Sequence, residues 1–379
     1  MSNNTTNEAH QGQIIAQYRK LKKWSQQDLA EALRADVRTV QRMEQQHMIK
    51  SVSRRQLLVG LLGIPATLMA LDPLQALIIK PSLALNHDRM TFFEDEMAAR
   101  WELYHTGGTL RAARGLDMWI KEITSFAQSS QSTSWHNRTL TLLTMSYQLQ
   151  TCVSRDLMDF TQAHVAARRA YRIAQELDDA ELIASALTHE GITLVQQDKQ
   201  TEAIRYLNGA YKTINNVGLP HLKGYILQAL SEAYAKDQRP QECWHTIGLL
   251  ERTLERQEQN QVPSKTRRYA SSITAQKGVN AVLLHDHRRA LALIDKSLTK
   301  YDPTFIRGRS RLLSQKAEAY YGLGLIDECA FTAEEALTMA QSVGSNKTVA
   351  RVRDLHSSLK QSQWRKERSI ARLGALLSL

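Results

Sequence analysis

Between Gly12 and Gln46, apolar residues recur three and four positions apart: Ile14, Ile15, Leu21, Leu29, Ala30, Leu33, Val37, Val40 and Met43. That is the period of short amphipathic helices, broken at two turns, with a polar junction at Ala35-Asp36. Ser25 suits the N-cap of a helix starting at Gln26, and Asp28 falls at its third position, where a carboxylate suits a helix N-terminus. Asp36 is the N-cap candidate for the next helix. The surface between the apolar positions carries Arg19, Lys20, Lys22, Lys23, Arg38 and Arg42. A small helical unit with a polar, basic second helix meets the needs of a helix-turn-helix. Its second helix must lie in the major groove and offer side chains to base edges.

The pattern continues as helices. Phe92, Phe93, Met97, Trp101 and Tyr104 share one helical stripe. Thr106-Gly107-Gly108-Thr109 breaks it, and Leu110, Leu116, Trp119, Ile120, Ile123 and Phe126 make a second. These aromatics are expected in the core. Gln128 to Ser134 reads as a loop. From about residue 138 the chain repeats. Each unit has a small residue in its first helix, a polar or Gly turn, and a second small residue twelve positions on. The pairs are Thr151 and Ala163, Gly191 and Ala203, Ser231 and Cys243, Gly278 and Ala290, Ala317 and Cys329. The second anchors are 40, 40, 47 and 39 residues apart. Small side chains are expected where the two helices of a hairpin cross closely. The longer interval places extra residues at Glu258 to Lys265.

Composition agrees with an all-α chain of two or three domains. Its 379 residues include 17 Gly and 7 Pro and are rich in Leu, Ala, Gln, Arg, Glu and Lys, with no clear strand run. Three cysteines, Cys152, Cys243 and Cys329, have no paired spacing, which argues against a disulfide framework or a CxxC metal site and for a reducing compartment. Cys243 and Cys329 occupy small-residue slots, so packing is their expected role. The net charge of +11 lies at the ends. Residues 1–56 hold ten Lys/Arg against five Asp/Glu, residues 347–379 hold eight against two, and the middle balances. At the head this field would attract phosphates.

The segment Ser25-Gln26-Gln27-Asp28-Leu29-Ala30 followed by Val37 to Glu44 resembles the Cro/CI-type repressors, the xenobiotic-response-element family. The resemblance implies DNA contacts from Gln26 and from the start of the recognition helix, Val37, Arg38 and Thr39. One turn on it implicates Arg42, with Gln41 beside it, and Gln27 and Lys23 flank the same surface. Arg is the natural bidentate reader of guanine. Ala30, Val40 and Met43 match packing positions, and Glu44 matches a Glu the family keeps. Two departures stand out: Arg34, and Gln45-Gln46, occupy places where the family has Gly. A left-handed turn residue is costly without Gly.

Residues 53–85 begin Ser53-Arg54-Arg55 and run uncharged from Gln56 to Leu71. The pattern looks like a twin-arginine export signal. It lies behind a folded head, its apolar run is short for a membrane span of roughly 20 residues, and Pro65, Asp72 and Pro73 interrupt it. Regulators with a repressor-type head and helical repeats carry such a segment, so it reads as a buried connector or dimerisation element.

Glu318-Ala319-Tyr320-Tyr321-Gly322-Leu323-Gly324 and Glu334-Glu335-Ala336-Leu337 resemble tetratricopeptide repeats. The resemblance implies a right-handed superhelix whose concave face is lined by first helices. Exposed positions expected there are Gln148, Arg155, Thr188, Gln228, Glu232, Arg311, Ser314 and Glu318, a polar groove suited to an extended peptide. The expected order is a lead-in (1–11), a helix-turn-helix (12–52), a connector (53–87), helical repeats (88–346) and basic capping helices (347–379), with Leu373, Leu376, Leu377 and Leu379 covering the last repeat.

Catalytic signals are weak. Gly344-Ser345-Asn346-Lys347-Thr348 lacks the spacing of a phosphate loop, and His285-Asp286-His287 falls in a turn. The expectation is a cytoplasmic, homodimeric regulator without cofactor or enzymatic activity. It would bind double-stranded DNA and sense a ligand, similar in architecture to Gram-positive peptide-pheromone receptors. The competing expectations are an adaptor whose repeats recruit a protein, and a membrane-tethered repeat protein.

Overall fold

The computed structural model describes residues 11–33, 35–45, 58, 62, 83–106, 108–129, 133–215, 219–258 and 265–378. They are helices and turns, and no strand occurs among them. Arg34, Gln46, the lead-in apart from Gln11, residues 259–264, Leu379 and most of the connector lie outside them. The chain divides into two compact units, Met1–Arg89 and Met90–Leu379.

The first unit contains α1 (Gln11–Leu21), α2 (Gln26–Ala32) and α3 (Val37–Gln45). Ile15, Leu29 and Val40 are fully enclosed, with Ile14, Ala30 and Met43 around them. Leu58 and Leu62 of the connector are helical, and four residues apart they complete this core; residues 83–87, also placed in the connector, are helical too. Leu21, expected in the apolar stripe, is 69% exposed. It ends α1, past the last turn that the core covers.

The second unit begins at Met90, within α4 (Leu83–Thr106), and continues with α5 (Thr109–Ala113) and α6 (Leu116–Ser129). Gly115, at φ 70°, separates α5 from α6 where the sequence suggested one helix. Gln128 and Ser129 finish α6 and are not loop. Phe93, Met97, Tyr104, Trp119 and Phe126 are buried together, but Phe92 and Leu110 are each 58% exposed. Phe92 keeps ring contacts to Trp119, at 6.1 Å between ring centres, and to Phe93, at 6.2 Å.

Six helical pairs follow: α7 (Thr133–Asp156) and α8 (Phe160–Glu176), α9 (Ala180–Gln196) and α10 (Gln200–Thr213), α11 (Pro220–Lys236) and α12 (Pro240–Glu258), α13 (Lys265–Leu283) and α14 (His287–Leu298), α15 (Ile306–Gly322) and α16 (Ile326–Val343), α17 (Asn346–Gln361) and α18 (Arg368–Leu377). The small anchors sit at the crossings. A Cβ on Gly191 would lie 2.6 Å from Leu207 Cγ, and one on Gly278 2.7 Å from Ile294 Cγ1. Seven residues after each first anchor the backbone turns left-handed, at Met158, Asp198, Gln238, His285 and Gly324. The amide that follows closes the helix: the Lys199 N–H donates to the Leu194 carbonyl at 3.0 Å and the Asp286 N–H to Ala281 at 2.8 Å. This is the cap that satisfies orphan carbonyls at a helix end.

First helices pack in an inner row, α7 on α9, α9 on α11 and so on to α17, and α17 returns to α7. The row therefore closes into a ring. Ser345 Oγ donates to Asp156 Oδ1 at 3.0 Å, and an Arg307 guanidinium nitrogen donates to the Tyr104 hydroxyl. Leu373 is fully buried against the last pairs, with Leu376 and Leu377 half-buried beside it.

Candidate nucleic-acid interface and repeat groove

The helix-turn-helix geometry is set by its caps. Ser25 Oγ accepts the Asp28 N–H at 3.0 Å, and Asp28 Oδ2 accepts the Ser25 N–H at 2.6 Å, a reciprocal capping box. Asp36 Oδ1 accepts the Thr39 N–H at 2.7 Å, and Oδ2 accepts the Thr39 hydroxyl at 3.1 Å. The hydrogen bonds from Ser25 hold the Asp28 carboxyl below its usual range, and those from Thr39 do the same for Asp36.

α3 has two faces. Val40 and Met43 point into the core, while Arg38, Gln41, Arg42 and Gln45 are exposed. Spacing of three, one and three residues puts these four side chains on one surface. Gln45 was singled out in the sequence only as a missing Gly. Lys23 and Gln27 are exposed as well. Lys23 supplies the left-handed residue, φ 58°, between α1 and α2, and Gln27 Nε2 donates to Glu31 at 3.0 Å.

Three expected base readers are partly committed elsewhere. Val37 is half-buried and packs on the core beside Trp24 and Leu33. Thr39 is half-buried with its hydroxyl spent on Asp36. Gln26 Nε2 donates to Glu44 Oε2 at 2.7 Å, and its Oε1 accepts from Gln41 Nε2 at 3.4 Å. Gln26 thus orients Gln41 instead of standing free.

The partner of Gln26 explains Glu44. Arg19 Nε donates to Glu44 Oε1 at 2.6 Å and its terminal nitrogen to Oε2 at 3.2 Å, while the other terminal nitrogen donates to the Trp24 carbonyl at 2.7 Å. Arg19, expected among the surface cations, is 7% exposed. It ties α1 to the end of α3. Burial pushes the Glu44 carboxyl up, but the hydrogen bonds from Arg19 and Gln26 and the charges of Arg19 and Lys20 outweigh it, so it stays below the usual range. Periodicity could not reveal a pair 25 residues apart.

The repeat groove departs from expectation. Gln148, Arg155, Thr188 and Ser314 are buried, and Gln228, Glu232, Arg311 and Glu318 are half-buried. Closure of the inner row crowds the faces that an open superhelix would expose. Thr188 and Ser314 satisfy their hydroxyls on their own helices, at Ala184 and Arg311. The others form a network. Gln228 donates to Gln276 at 3.1 Å, Gln276 to Glu232 at 3.3 Å and to Asn280 at 2.8 Å, and Asn280 to Ser231 at 3.0 Å. Arg311 pairs with Glu232 at 2.6 Å, and Arg351 holds Glu318 with both arms. Burial would raise the Glu232 carboxyl, but Arg311 and Lys347 hold it down at about 2.

Between α7 and α9, Cys152 Sγ lies 3.4 Å from His189 Nδ1, and Arg155 donates to the His189 carbonyl at 3.3 Å. Burial, aided by Arg155, lowers His189 to about 3, and burial raises the Cys152 thiol. Both shifts favour the uncharged forms of the pair. Burial likewise pushes Cys243 and Cys329 to about 12. No cluster of three metal-ligating side chains and no helix long and apolar enough to cross a membrane occurs among the described residues.

No protein-family model matches the chain, and no curated protein matches it. Among solved structures it is similar to BtubC (BKLC) from P. vanneervenii, at 15% identity and a TM-score of 0.43 over 60% of this chain and 92% of that one. It is also similar to PlcR from Bacillus thuringiensis, solved in complex with the peptide PapR7 and DNA, at 14% identity and a TM-score of 0.38 over 91% of this chain and 99% of that one.

Proposed function

We propose that the chain is a sequence-specific DNA-binding transcription regulator. The face of α3 that presents Arg38, Gln41, Arg42 and Gln45 opposite a buried Val40 and Met43 carries this reading. Two arginines and two amides on one helical surface are the groups that pair bidentately with guanine and adenine edges. Gln26 stiffens one of them through its bond to Gln41. Lys23 and Gln27 serve as backbone contacts that set register. The protein acts as a cytoplasmic homodimer on a two-fold site, without catalysis or cofactor. Its repeat groove holds a ligand, a short peptide in this reading. The ligand alters DNA binding only through its different affinity for two arrangements of the dimer.

Selection from a random duplex pool at fixed salt tests this. Wild type should enrich one sequence class, and Arg38→Ala with Arg42→Ala should abolish the enrichment. Each lost bidentate contact costs about 1–3 kcal/mol of discrimination. Lys23→Ala should weaken all sequences alike and lower the salt slope by about 1. A wild type that selects nothing overturns the reading.

A further inference from the structure

We propose that the inner face of the repeat ring is an anion site, in which Arg155, Arg307, Arg311 and Lys347 receive a carboxylate or phosphate group of a small ligand. The inference rests on the reading of this groove as the ligand site and adds the charge of what it takes.

Charge pairing comes first. The inner face brings together Arg155, Arg307, Arg311, Lys347 and Arg351 with Asp156, Glu232 and Glu318. Glu318 is taken by Arg351 and Glu232 by Arg311. Asp156 accepts hydroxyls from Thr109 at 2.7 Å and Ser345 at 3.0 Å, with Arg307 4.0 Å away. No carboxylate lies within ion-pair distance of Arg155 or Lys347 among the described residues, and Arg155 is 6% exposed. Buried cations without counterions are expensive, and an entering anion relieves that cost.

Unpartnered polar groups point the same way. Gln315, one turn beyond Arg311, is fully enclosed, and neither of its amide atoms has a partner. Gln148, two turns before Arg155 on α7, is 5% exposed with a free Nε2. The Nε–H groups of Arg307 and Arg311 also have no acceptor. Donors left over beside excess positive charge suit an oxyanion, and guanidinium forks match its geometry.

The start of α17 adds to the field. No side chain caps this 16-residue helix, so its first amides and positive dipole end stand next to Lys347. Burial, with Arg311 and Arg155 against Glu232 and Asp156, draws the Lys347 ammonium well below its usual range. A bound anion would reverse that shift.

Calorimetry on the full chain tests the site with sulfate and citrate, each against chloride at equal ionic strength. Wild type should bind both saturably. Lys347→Met should weaken binding at least tenfold and Lys347→Arg should restore most of it. Arg155→Gln is the second variant if Lys347→Met fails to fold, with the same expected loss. No saturable binding by wild type, or equal binding by a folded variant, overturns the proposal. A companion titration uses two hexapeptide pools, one acidic with free C-termini, the other amidated with Asn and Gln in place of Asp and Glu. At least tenfold preference for the acidic pool supports the anion site, and equal binding overturns it. Sulfate binding with neither pool bound supports the anion site and overturns the peptide reading instead.

Discussion

Arg19 and Glu44 join the first and last helices of the head through a bidentate contact whose side chains are 9% and 10% exposed. Such a pair is weak evidence of net stabilisation, but breaking it leaves a buried charge and costs about 3–5 kcal/mol. Glu44→Ala should therefore loosen α1–α3 severely. Amide exchange across Gln11–Gln45 should accelerate about 100-fold or more, since each 1.4 kcal/mol is tenfold. The pH dependence follows from the same residue. The folded Glu44 carboxyl titrates below its ordinary value of 4.5, so its contribution is full above that value and is lost as pH falls through the lower one. Exchange in the head should rise below pH 4.5 in wild type, and Glu44→Gln should flatten that rise. Unchanged exchange in Glu44→Ala would show that Arg19 is held by other contacts.

Each element of the repeat is specified by a small residue, a left-handed turn and a second small residue. The crossing at Gly191 has no room for a methyl, because Leu207, fully buried, already fills it. Gly191→Ala should lower stability by about 1–3 kcal/mol through overpacking. Gly209, on the outer helix of the same pair, has its nearest neighbour, Leu187, at 4.0 Å from the added methyl. There Ala should raise stability by up to about 1 kcal/mol through helix propensity. Urea midpoints that shift in the same direction for both variants would refute this account of the crossing. The repeat was legible at this scale because close helix crossings demand small side chains at a fixed interval. So were the caps of α2 and α3, whose Ser25 and Asp36 are local signals. Met158 was not legible as a left-handed turn, since nothing in an apolar side chain advertises that conformation. The burial of Gln148, Arg155, Thr188 and Ser314 was not legible either: a polar residue on a first helix looks the same whether its row stays open or closes.

Closure of the ring is a property of the whole second unit. It arises from curvature summed over six helical pairs and is sealed by contacts 189 and 203 residues apart. An open solenoid unfolds nearly additively and frays from its terminal repeats, because each repeat touches only its neighbours. Here α17 also rests on α7, so its loss exposes both ends of the row. Asp156, 5% exposed, is the seal: it takes the Thr109 and Ser345 hydroxyls and faces Arg307. Asp156→Ala strips two buried hydroxyls of their acceptor and the Arg307 guanidinium of its counter-charge, at about 1–3 kcal/mol for each hydroxyl left unsatisfied. The variant should unfold in two steps where wild type unfolds in one. Amides of α5 and the first turns of α17 should exchange ahead of those in α9–α11. Asp156→Asn, which keeps an acceptor oxygen but loses the charge, should fall between the two. If Asp156→Ala still unfolds in a single step, with α17 as protected as α9, then helix packing between α7 and α17 closes the ring without this carboxylate.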